Sequence, residues 1–78
     1  MKKMQIMLND IVKLKAFERI MAACPFEADV RSSENTRHVV DAKSIMGIFS
    51  LDVSKPVWLE AYCSEDEANA LFQQLENL

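Results

Sequence analysis

Glycine is nearly missing from this chain: Gly47 is the only one in 78 residues. That excludes the glycine-rich loops whose backbone cradles nucleotide phosphates. Histidine is equally scarce. His38 stands alone, and with Cys24 and Cys63 at scattered spacing it makes no zinc signature, so no metal site is expected. No apolar run approaches the roughly 18 residues of a membrane span. The opening MKKMQIML carries basic residues as a signal peptide does. Its apolar part is short, interrupted by Gln5 and followed by NDIVKLK, so a cytoplasmic protein is expected. The two cysteines are then expected as reduced, partly buried thiols rather than a disulfide. A net charge of −3 and the lack of a basic aromatic stripe give no electrostatic case for nucleic acid. Nothing resembles a nucleophile–base pair or a working carboxylate dyad, and no cofactor is implied.

What is present is globular composition: 50% apolar and 27% charged residues. The length allows one domain over residues 1–78, with a stability of roughly 3–5 kcal/mol. Residues 3–8 alternate, with Met4, Ile6 and Leu8 on one face, which predicts a strand. Asn9 and Asp10 are good helix caps, and Leu14, Phe17, Ile20, Met21 and Cys24 recur at helical spacing until Pro25. FEADVRS alternates again with Phe26, Ala28 and Val30 inward. SSENT supplies turn chemistry, and Arg37 to Asp41 is expected to return as a hairpin strand. Residues 44–50 are expected as a short helix capped by Ser44. Gly47 inside it costs about 1 kcal/mol against alanine, so close packing or access for a partner must favour it. VWLEAYC is a fourth strand, with Val57, Leu59, Ala61 and Cys63 on one face. Trp58 and Tyr62 lie on the other, packed side by side or marking a dimer contact. In SEDE, Ser64 caps a last helix and Glu67 reaches back, with Ala68, Leu71, Phe72, Leu75 and Leu78 as its apolar stripe. The order β-α-β-β-α-β-α gives an α+β fold, an open-faced sandwich. A four-stranded, largely antiparallel sheet is covered on one face by three helices.

This element order and the segment DAKSIMGIFSL, residues 41–51, together resemble HPr, the small phosphocarrier of the bacterial sugar phosphotransferase system. The core of the likeness is Lys43-Ser44-Ile45-Met46-Gly47 followed by Ser50-Leu51. EADV in the second strand and SEDEANAL at the last helix support it. The resemblance implies a histidine at the start of the first helix, in a Gly-apolar-His-Ala-Arg-Pro segment, that takes phosphate from phosphoenolpyruvate through enzyme I. The corresponding stretch here is NDIVKLKAFERI. Counting back from Asp29-Val30 puts the acceptor position at Val12; counting back from Ser44 puts it at Lys13. An aliphatic chain cannot hold phosphate, and an ammonium group attracts an anion without replacing imidazole in a relay. The chain is therefore similar to the catabolite-repression relative of HPr, which lacks the histidine and keeps the serine.

By the same resemblance, Ser44 matches a serine that an ATP-dependent kinase modifies, after which the product binds a transcriptional regulator. Phosphate there adds about −1.5 to −2 charge and gains about 0.3–1 kcal/mol from the helix dipole. Ile45, Met46 and Phe49 match an apolar docking patch for enzyme I, sugar-specific subunits, kinase and regulator. Lys13 and Lys15, with Arg19 beyond them, offer cations for an anion or an acidic partner. The function expected is a regulatory or adaptor protein modified at Ser44. A carrier with an atypical acceptor such as His38 is the second reading, and an interaction domain without phosphate chemistry, with a homodimer as one form of it, is the third.

Overall fold

The computed structural model describes residues 2–78. In chain order these are β1 (Lys2–Ile6), α1 (Ile11–Ala22), β2 (Glu27–Arg31), β3 (Val40–Asp41), α2 (Ile45–Phe49), β4 (Val57–Tyr62) and α3 (Glu65–Leu75). The strands form one sheet in the order β1-β4-β2-β3, and each neighbouring pair is antiparallel. The register sets Met4 opposite Leu59, Ile6 opposite Val57, Ala28 opposite Ala61 and Val30 opposite Leu59. Strand alternation turns all of these toward the helices. Phe17 and Met21 of α1, Ile48 of α2, and Leu71 and Leu75 of α3 close over them in one buried cluster. Each such side chain contributes about 1.5–3 kcal/mol by leaving water. No helix among the described residues is long and apolar enough to cross a membrane.

The helices start where local chemistry allows. Asp10 caps α1, its carboxylate accepting the Lys13 N–H at 2.8 Å. Ser64 caps α3 and receives the reciprocal Glu67 carboxylate, satisfying two orphan donors at once. Glu65, Asp66 and Glu67 put negative charge in the first turn of α3, at the positive end of its dipole.

Several boundaries differ from the pattern in the sequence. β1 pairs only to Ile6, because its partner β4 begins at Val57 after Pro56, which has no N–H to donate. Leu8 is nevertheless buried. The returning strand is Val40–Asp41, not Arg37–Asp41. The Thr36 hydroxyl accepts the His38 N–H at 3.1 Å, a local bond that competes with ladder pairing. Leu78 lies beyond α3, which ends at Leu75.

The second sheet face carries a polar network. Arg31 Nη2 donates to Glu60 Oε1 at 3.0 Å, and Glu60 is only 6% exposed. Tyr62 donates its hydroxyl to Asp29 at 2.5 Å, and that bond, with some burial, pushes its pKa up to about 12. Glu34, from the loop after β2, reaches Lys3 of β1 at 3.8 Å on this side of the sheet. Trp58 and Tyr62 stand four residues apart on β4, about 13 Å along the strand, with Glu60 between them.

Candidate functional site

The segment that follows β3 is pinned by one carboxylate. Asp41 Oδ1 accepts the Lys43 N–H at 2.9 Å, and the Asp41 carbonyl accepts the Ser44 N–H at 2.9 Å. Ser44 is thereby set at the start of α2, half-buried, with Oγ accepting the Gly47 N–H at 3.1 Å. Its partner is a backbone donor, neither a carboxylate nor an imidazole. The hydroxyl is a helix cap rather than an activated nucleophile.

Gly47 is accounted for by space. Its φ is not positive. A Cβ there would lie 3.1 Å from Val40 Cβ and 3.2 Å from Ser44 Oγ, so a larger residue would press α2 away from β3 and crowd its own cap.

The three expected docking residues divide. Ile45 is half-buried against the core, whereas Met46 is 76% and Phe49 55% exposed. Ile11 and Val12, at the tip of α1, are also exposed, at 59% and 74%. The fold brings the two tips together: Ile11 and Leu14 of α1 share a groove with Phe49 of α2, alongside Leu8 and Val53. Sequence reasoning found the α2 half of this apolar surface and missed Ile11. The spacing signal covered Val12 only: Leu14 and Phe17 put Val12 on the far side of α1, whereas Ile11, three residues before Leu14, lies on the buried ridge and is exposed because it is at the helix end.

The expected cations do not converge on Ser44. Lys13 is half-buried and lines a groove with Met4, Leu75 and Leu78, whereas Lys15 is exposed beside Glu18 and Arg19. His38 is exposed on the loop before β3. Cys24 and Cys63 are free and half-buried. Burial pushes both thiols above their ordinary range; the Lys43 charge opposes this at Cys24, and Glu67 adds to it at Cys63. A cation that sequence reasoning passed over makes a long-range side-chain link from this segment: Lys43 Nζ donates to the Cys24 carbonyl at 2.8 Å, joining the start of α2 to the residue just past the α1 C-cap. Among the described residues, no group of three or more acidic, histidine or cysteine side chains is placed to hold a metal ion.

Comparison with known families gives one match over residues 15–78, to the model described as the phosphotransferase-system HPr component phosphorylation site. Among solved structures, the crystal structure of HPr-C-His from Thermoanaerobacter tengcongensis is similar, with 29% identity and a TM-score of 0.71. The match covers 99% of this chain and 93% of that one. No curated protein matches.

Proposed function

This chain belongs to the HPr family of the phosphotransferase system, and from that membership we propose that it is a regulatory or adaptor member working without an acceptor histidine. HPr proteins are phosphocarriers, not catalytic enzymes, and they act on other proteins of the system. The observation that carries the proposal is the makeup of the α1 tip. Ile11, Val12 and Lys13 stand there, and the chain's single histidine is His38, on a different loop. Neither Val12 nor Lys13, whichever occupies the acceptor position, can pass phosphate on as an imidazole does. The family match begins at residue 15, just beyond this tip.

In this reading Ser44 is the modified group, phosphorylated by a serine kinase. Met46 and Phe49, with Ile45 beneath them, dock the partner, a phosphotransferase component or a transcriptional regulator. Lys13 and Lys15 add separate contacts for acidic groups, and the setting is the cytoplasm. Phosphate on Ser44 would place about −1.5 to −2 charge beside an exposed apolar surface, enough to change which partner fits it.

The test is intact mass after two incubations, one with enzyme I and phosphoenolpyruvate, the other with the serine kinase and ATP. The proposal expects no change in the first. It expects one acid-stable phosphate in the second, abolished by Ser44→Ala. Acid-labile phosphate in the first incubation would overturn it.

A further inference from the structure

The Lys43 side chain has a role that neither capping nor docking assigns. Its backbone is held by Asp41, yet its ammonium group reaches across to the Cys24 carbonyl, 19 residues earlier, at 2.8 Å. That carbonyl lies just past the α1 C-cap Ala23, and the residue after it, Pro25, has no N–H with which to continue the chain's pairing. The Cys24 N–H bonds back to the Met21 carbonyl at 3.1 Å, and its thiol to the Ile20 carbonyl at 3.5 Å. Cys24 thus sits at a helix end held on the inside by α1 itself and on the outside by Lys43. It also lines an apolar groove between α1 and α3, with Ile20, Phe26 and Leu71.

We propose that Lys43 is a lever that reports the state of Ser44 at the far end of α1: a phosphate on Ser44 draws the ammonium off the Cys24 carbonyl. The proposal rests on Ser44 being the modified residue. The competition is between acceptors. A phosphate oxygen bonded to an ammonium makes a charge-assisted hydrogen bond, roughly twice as strong as one to a neutral carbonyl. Asp41 fixes the Lys43 and Ser44 backbone through two N–H bonds, so only the flexible lysine stem needs to turn. The phosphate hangs from the next residue, within reach of that stem. The Lys43–Cys24 bond is exposed, so water takes the vacated carbonyl and the exchange strains nothing in the core. The end of α1 loses an outer tie, the Cys24 thiol loses the cation that counters its burial, and the groove beside Cys24 is where the change is felt.

Cys24 supplies the readout. Burial and the nearby Cys63 raise its thiol, and Lys43 counters them. Removing the ammonium therefore lowers the thiolate fraction and slows alkylation. The experiment uses the full chain carrying Cys63→Ser, with phosphoserine installed at position 44 by chemical ligation and confirmed by mass. Iodoacetamide alkylation of Cys24 is followed at about pH 8, below the thiol pKa, where rate tracks thiolate. Lys43→Met is expected to slow alkylation roughly two- to tenfold, phosphate on Ser44 to slow it comparably, and the combination to be no slower than either alone. Lys43→Arg, which keeps the charge and the donor, is expected to stay near the parent rate. A parent-like rate for Lys43→Met overturns the proposal. So does a phosphate effect that persists undiminished in the Lys43→Met chain, which would be direct action of the phosphate on the thiol. Because the phosphate is installed without a kinase, failure of the kinase to modify Ser44 would count against the earlier reading alone.

Discussion

Replacing Gly47 by alanine sets two opposing effects against each other. Alanine is the better helix former by about 1 kcal/mol, so in an exposed helix the change would stabilise. Here the new methyl carbon lies 3.1 Å from Val40 Cβ and 3.2 Å from Ser44 Oγ, both well inside ordinary contact. Relief at Ser44 means rotating the hydroxyl off the Gly47 N–H, which gives up a cap worth about 1 kcal/mol. Relief at Val40 is harder. Its Cβ is fixed to the backbone of β3, and Val40 pairs with Val30 in the sheet, so α2 or the strand must shift. Overpacking of this kind costs about 1–3 kcal/mol. Crowding and cap loss together outweigh propensity, and Gly47→Ala is expected to destabilise by about 1–3 kcal/mol. In a domain of this size that lowers Tm by roughly 5–20 °C. Thermal and urea unfolding followed by circular dichroism would measure it, with the m value unchanged. Val40→Ala keeps the contacted Cβ but trims the methyls that hold β3 in place, so the strand can shift and the double variant should lose less than the two singles together. An alanine variant as stable as the parent would refute the packing argument and leave partner access as the reason for glycine.

Two other outcomes follow from the second sheet face. Tyr62 is the only tyrosine, so absorbance at the phenolate band reports it alone. It should ionise at about 12 rather than 10, and Asp29→Asn should bring it back toward its ordinary value. Its folded pKa lies above the unfolded one, so its contribution to stability is complete below about pH 10 and is lost as pH rises toward 12; ionisation near 10 in the parent would contradict the hydrogen bond. Glu60→Ala leaves Arg31 facing a buried vacancy. The loss should be about 1–3 kcal/mol in urea unfolding, held below the value for a fully buried pair because Arg31 can turn to water. Glu60→Gln should recover part of it, and a loss too small to measure would show that the pair is not buried in solution.

The fold was legible wherever one residue type had one place to go. Leu14, Phe17 and Met21 at helical spacing, and Ala28 and Val30 at strand spacing, left no other face to bury. Capping was legible for the same reason, since Ser64 and Glu67 satisfy a helix start within four residues. The returning strand was not. Whether residues 37–39 pair depends on where β2 ends and on a bond between Thr36 and His38, which composition does not encode. The Arg31–Glu60 pair was hidden too, because it depends on which strands become neighbours. At the site, the Ser44 cap could be read from the sequence, and the resemblance offered Met46 and Phe49, which the fold leaves exposed. Lys43 could not, since its partner is a backbone carbonyl that the fold, not the sequence pattern, brings within 2.8 Å.

The division of α1 shows that its tip can change without disturbing the fold. The residues that hold α1 to the sheet are Leu14, Phe17 and Met21, all buried. Ile11 and Val12 precede them and face solvent, and the Asp10 cap bonds through the backbone N–H of Lys13, which any residue but proline supplies. A substitution at position 11, 12 or 13 therefore disturbs no core contact comparable with that of Phe17. Selection on the tip and selection on the fold act on separate residues. The same separation fails at α2. There Ser44 is both the cap and the proposed modification site, and Gly47 is both packing space and the donor to that cap. Under the proposed function, changes at α2 must satisfy the fold and the partner together, so the serine segment is the more constrained of the two tips.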